Sequence, residues 1–447
     1  MTMSMTSLED RMTIVALAQA RHTDANIAER TGWSVSTIRK WRRRGVKQGL
    51  KGLASKMGRP AAGAMSTFSP VIADTLRAWR KAHPGWGPLT LRTELESDAS
   101  LQNKSLPSRA TIGRWLKEKG LTRPYERHQA LPQPSSTSAQ ASHEEWELDA
   151  WGYEKVSDVG VVALLNMNDR FSRTKLLSYP CWLGERRASR HPTTEDYQMT
   201  FRLAASEWGL PDRLFVDRDS VFYDNGSKSP FPTRFHLWLQ ALGVDLVIGP
   251  AHCPQKRGLT ERSHQTWDQQ VLEGQSFKTW EQLRLALERR RDFMNECLPC
   301  ASLDGKPPLV AYPQAGTPRR VYRPEWEEEL IDLERVYAYL AQGRWFRKGS
   351  NVGAFSLGNQ LYILGKDWIG KDAEITFDPS DQHFIFRSPE VDKPKRLPIK
   401  GMTKTELMGE LGPLVSLHQF QLALPFTWDE WRVTRLSETL VSRLYET

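Results

Sequence analysis

Near residue 145 the spacing of apolar residues changes from the helical period of roughly 3.6 to the strand period of roughly 2. Beyond that point EWELDAWG, VGVVALLNMNDRFSR and TKLLSYPCW read as three successive strands of one sheet. A helix from about Thr193 to Trp208 follows, then the apolar strand RLFVD from Arg213 to Asp217, the helix FHLWLQALG and the strand VDLVIG. Helices alternating with strands in this way predict an α/β core. A chain of 447 residues is too long for one ordinary core, so helical modules before the change and further modules after it are expected.

The head of the chain, from Leu8 to about Arg44, reads as three short helices with a helix-turn-helix at their centre, DANIAERTGWSVSTIRKWRRR. Ala28 is small where two helices must cross, and Gly32 supplies a left-handed turn. Ser34 is placed to cap the third helix, with Ile38 and Trp41 on its inner face. Ser36, Thr37, Arg39, Lys40, Arg42, Arg43 and Arg44 are left for its outer face, where a groove-reading helix carries its DNA contacts. A wet basic helix in a small bundle is the competing reading. Charge bears on the choice: the chain has 62 Lys or Arg against 53 Asp or Glu, a net +9, and residues 1–60 hold 12 against 4. Nearly all the basic excess therefore sits at the N-terminus.

Residues 1–60 are assigned to this module. Lys47 to Pro70, rich in Gly, Ala, Ser and Pro, is expected to be a basic linker. A second helix-turn-helix or winged-helix module spans 70–128, its last helix beginning at Ser108 and presenting Arg109 and Arg114. ALPQPSSTSAQASH has the composition of a disordered linker, 129–143, which puts the α/β core at 144–300. A helical stretch from Thr279 to Glu296 belongs to its end. GRWFRKGS, NQLYILGK and HFIFRS predict a small β-barrel over 335–390, and 391–447 form a C-terminal tail with no interpretable motif.

The four cysteines, Cys181, Cys253, Cys297 and Cys300, are too few for a disulfide framework, and the lone CxxC lacks a regular second ligand pair for zinc. No apolar run long enough for a membrane span occurs, and MTMSMTSLEDRM lacks a secretory core. A soluble cytoplasmic protein with no membrane partner is expected.

Three carboxylates stand in settings suited to chemistry. Asp149 lies mid-strand in WELDAWG, on the face opposite Leu148, with small Gly152 leaving room beside it. Asp217 closes the buried run Leu214, Phe215, Val216, at a strand terminus where α/β sheets bind ligands. Glu261 lies in GPAHCPQKRGLTERSHQTWDQQ, on a helix starting near Leu259, after a flexible approach through Pro254 and Gly258, with Gln265 one turn further on the same face. Lys256, Arg257, Arg262 and His264 flank it as phosphate contacts. Hard oxygen donors of this kind suit paired divalent ions in phosphoryl transfer.

Taken together, LDAWG, NMNDRFSR, FVDRDSVF and PQKRGLTERSHQ resemble the DDE transposases and retroviral integrases, in particular bacterial insertion-sequence transposases with N-terminal helix-turn-helix domains. The resemblance spans Glu144 to about Asp292. It implies a ribonuclease-H-like fold and a catalytic and metal-binding triad of Asp149, Asp217 and Glu261 that holds two Mg2+ ions, with Mn2+ as a substitute. It further implies 3′-end cleavage at terminal repeats followed by strand transfer into target DNA. The gap of 43 residues between Asp217 and Glu261 is longer than the family's usual one, and Asp224, which would leave 36, fits better on length. Asp217 is preferred because it follows the buried strand directly, whereas YDNGSKSPFP reads as an inserted loop. Asp224 and Asp219 stay as alternatives. The short DRFSR segment, with Asp169, Arg170, Ser172 and Arg173, reads as well as a turn as it does as part of the chemistry.

The expected partners are double-stranded DNA, as terminal repeat and as target, and further copies of the chain, since two element ends need at least two active subunits. A separate ATPase or target-selecting protein is a further candidate. A bacterial, nucleoid-associated location follows from the resemblance. The competing functions are a catalytically silent DNA-binding regulator and a structure-selective nuclease on the same fold.

Overall fold

A computed structural model describes residues 6–54, 63–101, 103–122, 137–249 and 258–411. The elements in chain order are α1 (Leu8–Gln19), α2 (Asp24–Thr31), α3 (Val35–Gln48), α4 (Pro70–Ala82), α5 (Pro88–Ser97), α6 (Arg109–Glu118), β1 (Glu145–Val156), β2 (Gly160–Asp169), β3 (Lys175–Gly184), α7 (Thr194–Trp208), β4 (Arg213–Val216), α8 (Arg234–Ala241), β5 (Asp245–Ile248), α9 (Gly258–Trp267), α10 (Trp280–Glu296), α11 (Pro308–Ala311), α12 (Glu327–Leu330), α13 (Leu333–Ala341), β6 (Trp345–Lys348), β7 (Ala354–Leu357), β8 (Gln360–Ile363), β9 (Asp372–Asp378), β10 (His383–Ser388), β11 (Val391–Pro398) and α14 (Lys404–Met408).

The chain divides into two compact units. The first comprises residues 1–68 and 110–122. In it α1, α2 and α3 close over Ile14, Ile27, Ile38, Trp41 and Leu53. Each helix begins on a side-chain oxygen: Ser7 in a capping box with Asp10, Thr23 accepting from the Asn26 amide, Ser34 from the Thr37 amide. Gly32 ends α2 in the left-handed conformation, which turns the chain into α3. The expected turn chemistry, cap and inner face of this motif are all present. The linker expected from Lys47 begins later than its composition suggested. A single helical turn at Gly49–Gly52 follows α3 and buries Leu53 in the same core. Residues 55–62 of that stretch lie outside the described residues.

The second unit comprises residues 69–109 and 123–447. Its centre is a five-stranded sheet of order β3-β2-β1-β4-β5, in which β1, β2 and β3 run antiparallel while β4 and β5 run parallel to β1. This is the mixed α/β core that the alternating pattern predicts. One face, formed by Trp146, Leu148, Leu165, Met167, Leu214 and Val216, packs with Phe201 of α7 and Trp238 of α8 in the main apolar core. At the other face Val162 and Leu164 meet Trp267 of α9 and Leu283 and Leu287 of α10. The two helices α4 and α5 belong to this unit as well: Trp86 donates to the Gln270 carbonyl at 3.4 Å, and Glu94 pairs with Arg290 of α10.

Three expectations change here. The C-terminal part of the predicted linker 129–143 is packed rather than loose. His143 is buried, accepts from the Trp146 indole at 3.1 Å and lies 2.8 Å from the Ala315 carbonyl, a role for a ring that composition alone does not reveal. Residues 123–136 lie outside the described residues. The predicted β-barrel is an open arrangement: a four-stranded antiparallel sheet, β11-β10-β9-β6, beside a two-stranded ribbon of β7 and β8. The outer strand β11 is largely exposed, and its VDKPKRLP sequence, with two prolines and three cations, suits an edge that does not pair further. The predicted tail, 391–447, thus begins inside the sheet, with β11 paired to β10; beyond it α14 is capped by Thr403 and buries Leu407 and Met408, while residues 412–447 lie outside the described residues. Among the described residues no helix is long and apolar enough to cross a membrane.

Candidate active site

Asp149 occupies the middle of β1, directly across from Asn166 of β2. Its neighbour Leu148 is buried on the opposite face, as the alternation predicts. Parallel pairing of β1 with β4 sets Glu147 beside Phe215. Asp149 and Asp217 each lie two residues beyond that last pair, Asp217 just past the end of β4. The charges of Asp219, Asp217 and Asp149 all act on the buried Tyr197 phenol of α7 and, after burial itself, drive its pKa upward. All three carboxylates are therefore near enough to Tyr197 to act on it. Beyond Trp151 the pairing of β1 with β2 shifts at a bulge where Gly152 has φ +80°, a conformation that a side chain resists.

Asp217 accepts from the Asp219 amide at 3.0 Å, and the two alternatives have local duties as well. Asp219 accepts from the Val221 amide at 2.9 Å and so shapes its own turn. Asp224 accepts from the Gly226 amide at 3.2 Å and the Phe231 amide at 3.3 Å, and pairs with Arg347 of β6 at 3.4 Å, tying the YDNGSKSPFP loop to the C-terminal sheet.

Glu261 belongs to α9, which starts at Gly258. Lys256 and Arg257 lie outside the described residues, and the side chain of Glu261 is likewise outside the description. Less than one turn later, His264 brings Nε2 to 3.3 Å from Asp149 Oδ2 and stacks on Trp151 with ring centroids 5.8 Å apart. Burial, with the nearby Lys175 ammonium, pushes the His264 pKa down to about 4, so near neutrality this is a neutral ring against a carboxylate rather than an ion pair. Its Nε2 makes no aligned hydrogen bond. Arg262 and Gln265 are exposed on the same helix.

Residues that sequence reasoning passed over anchor α9. Lys175, the first residue of β3, donates from Nζ to Ser263 Oγ at 2.9 Å, and Ser263 Oγ lies 3.4 Å from Asn168 Oδ1. Desolvation among these neighbours pulls the Lys175 pKa down to about 8. A lysine heading an apolar strand offers no signal in sequence that it will be enclosed. The DRFSR segment is a buried turn. Asp169 accepts from the amides of Ser172 and His143 at 3.0 and 3.2 Å and from the Ser172 hydroxyl, and burial raises its pKa. Arg170 pairs with Glu145 at 2.5 Å and lies over the Phe215 ring. These contacts give Asp169 and Arg170 the structural role that the turn reading assigns them.

Among the described residues no group of three or more His, Cys, Asp or Glu side chains is gathered so as to hold a metal ion. Asp149 and Asp217 carry hard oxygen donors, the donor type that magnesium takes.

In the first unit Ser36, Arg39, Lys40, Arg42 and Arg43 are exposed along α3, with Thr37 and Arg44 half-buried. Arg39 and Arg42 both reach Asp24 of α2, at 3.3 and 2.7 Å, while Lys40 and Arg44 lie over the Trp41 ring. Arg109 and Arg114 are exposed on α6, whereas Thr111 is buried.

Two family models, each described as a Homeodomain-like domain, match the chain at residues 5–54 and 37–116. The N-terminal part of the protein therefore carries Homeodomain-like helix-turn-helix domains. Among solved structures, the magnesium complex of the HTLV-2 integrase catalytic core domain in its dimeric form is similar at 15% identity and a TM-score of 0.27, covering 38% of this chain and 96% of that one. The simian T-cell lymphotropic virus intasome in complex with PP2A regulatory subunit B56 gamma is similar at 13% identity and a TM-score of 0.32, covering 69% and 96%.

Proposed function

We propose that this protein is a metal-dependent DNA transposase, which binds the terminal repeats of a mobile element, cuts 3′ ends and joins them to target DNA on a ribonuclease-H-like core. The observation that carries the reading is the parallel pairing of β1 with β4, from whose last pair Asp149 and Asp217 each follow two residues on, with α9 set against Asp149 within one turn of Glu261. Recognition falls to the Homeodomain-like head, where Ser36, Thr37, Arg39, Lys40, Arg42, Arg43 and Arg44 of α3 are the contacts to DNA. Arg109, Arg114, Lys256, Arg257 and Arg262 add phosphate contacts. Two element ends require two sets of carboxylates, so the active form is a homo-oligomer assembled on DNA.

Asp149, Asp217 and Glu261 are the residues that would hold two magnesium ions. Bound there, such ions would supply polarisation of the scissile phosphate and charge stabilisation at the leaving oxygen. The chain's own part is orientation. Sheet pairing fixes the backbone of Asp149, and the Lys175–Ser263 bond fixes α9. The neutral His264 ring leaves the negative charge of Asp149 available to a cation and, stacked on Trp151, covers one side of the carboxylate against water.

The test is an assay with labelled DNA carrying the element ends, a target plasmid and Mg2+. Asp149→Ala, Asp217→Ala and Glu261→Ala are expected to lower cleaved and joined products by at least about a thousandfold while DNA binding persists. Asp224→Ala is expected to keep activity. Metal-independent binding without products in the wild type, or loss with Asp224→Ala but not with Asp217→Ala, overturns the assignment.

A further inference from the structure

Asn166 faces Asp149 across the β1–β2 pair and Ser178 across the β2–β3 pair, so the three side chains form one row on the face of the sheet toward α9. Asn166 is only 1% exposed and Ser178 6%. Both amide atoms of Asn166 and the hydroxyl of Ser178 are buried without a hydrogen-bond partner. A buried amide left unpaired is costly, and a leucine would fill the same volume without that cost. The only charged neighbour in the row is Asp149, itself about one quarter exposed at the mouth of the site.

We propose that Asn166 is a positioning residue for Asp149. A small rotation about its side-chain bonds brings the amide NH2 to the inner carboxylate oxygen of Asp149 and the amide oxygen to the Ser178 hydroxyl. Cross-strand partners on one face have Cβ atoms about 5 Å apart, within reach of an asparagine amide. The inner oxygen of the carboxylate is thereby held, and the outer oxygen is turned toward the cation and the DNA. Carboxylates that ligate metals are fixed from behind by such partners, whose loss weakens the metal by roughly tenfold to a hundredfold. Ser178 fixes which way the asparagine amide points, since its hydroxyl donates to the oxygen and leaves the NH2 for Asp149. The proposal rests on the reading of Asp149 as a metal ligand.

Isothermal calorimetry of Mn2+ binding to the full chain, with a melting curve for each variant, tests it. Asn166→Leu is expected to weaken Mn2+ about tenfold to a hundredfold while melting no lower than wild type. Ser178→Ala is expected to weaken it by a smaller factor, and Asp149→Ala to abolish it. Unchanged Mn2+ affinity in Asn166→Leu overturns the positioning role, with the metal site left standing if Asp149→Ala has lost binding. Wild-type affinity in Asp149→Ala overturns the metal site and the role together. If Asn166→Leu does not fold, Ser178→Ala decides, and no weakening there overturns the proposal.

Discussion

The two faces of the five-stranded sheet solve different problems. Toward α7 and α8 the face is apolar apart from Asp169 at the end of β2, and the helix rings over it pack closely, Phe201 with Trp238 edge to face at 5.4 Å and Phe235 with Trp238 tilted at 5.5 Å. Toward α9 and α10 the same strands turn Glu147, Asp149, Asn166, Asn168, Lys175 and Ser178 inward, and only the far end of that face is oily. Alternation along a strand makes the two faces independent, so one can be given to stability while the other carries polar groups that no stable core would choose. On the proposed function, a face spent this way is where the chemistry would sit, and it is a broader mark than any single acidic residue.

Truncation on the apolar face should show the largest effect on stability. Leu148→Ala removes a fully packed side chain next to Asp149 in sequence but on the other side of the sheet. It is expected to cost about 2–5 kcal/mol in urea unfolding. Asn166→Leu, which adds apolar surface on the polar face, should cost nothing. A loss in Asn166→Leu equal to that in Leu148→Ala would erase the distinction between the faces.

Lys175 sharpens the comparison through pH. Its pKa falls to about 8 in the folded protein from an ordinary 10.5, so the unfolded chain holds more protons across that window. Stability therefore rises as pH goes from 8 to 10.5, and below 8 the burden of the buried charge is fully present. The shift corresponds to about 3 kcal/mol. Unfolding measured at intervals across that range should show the rise in wild type and a flatter profile in Lys175→Met. Parallel profiles would mean that the ammonium is not enclosed in solution.

Why some of this was legible and some was not follows from range. The helix-turn-helix is a local code: Gly32 turns, Ser34 caps, Ile38 and Trp41 face inward, all within a dozen residues, and the structure repeats it. Alternation likewise placed β1 to β5 and set Asp149 opposite Leu148. The burial of Lys175 and Asn166 depends on α9 and α10, more than eighty residues away, and no period in the sequence encodes it. His143 looked like the end of a polar linker because its partner Ala315 lies 172 residues on. The predicted barrel failed to close for a similar reason: local alternation identifies strands but not whether the outermost ones meet.

The weakest effect expected concerns Asp24, in the first turn of α2, which holds Arg39 and Arg42 of the recognition helix. Its pairing with Arg42, and then with Arg39, lowers the Asp24 pKa against the opposing pull of desolvation, so it is fully charged near neutrality and competes with phosphate for both guanidinium groups. An exposed pair of this kind contributes little to stability. Its effect belongs to binding: Asp24→Asn frees two cations and removes one repulsive charge. The full chain should then bind an element-end duplex a few-fold more tightly at low salt, with a salt dependence steeper by about one to two phosphate contacts. Fluorescence anisotropy across a salt series reads both quantities. If the slope does not change, Arg39 and Arg42 do not face the phosphates, and the contacts to DNA lie elsewhere on α3.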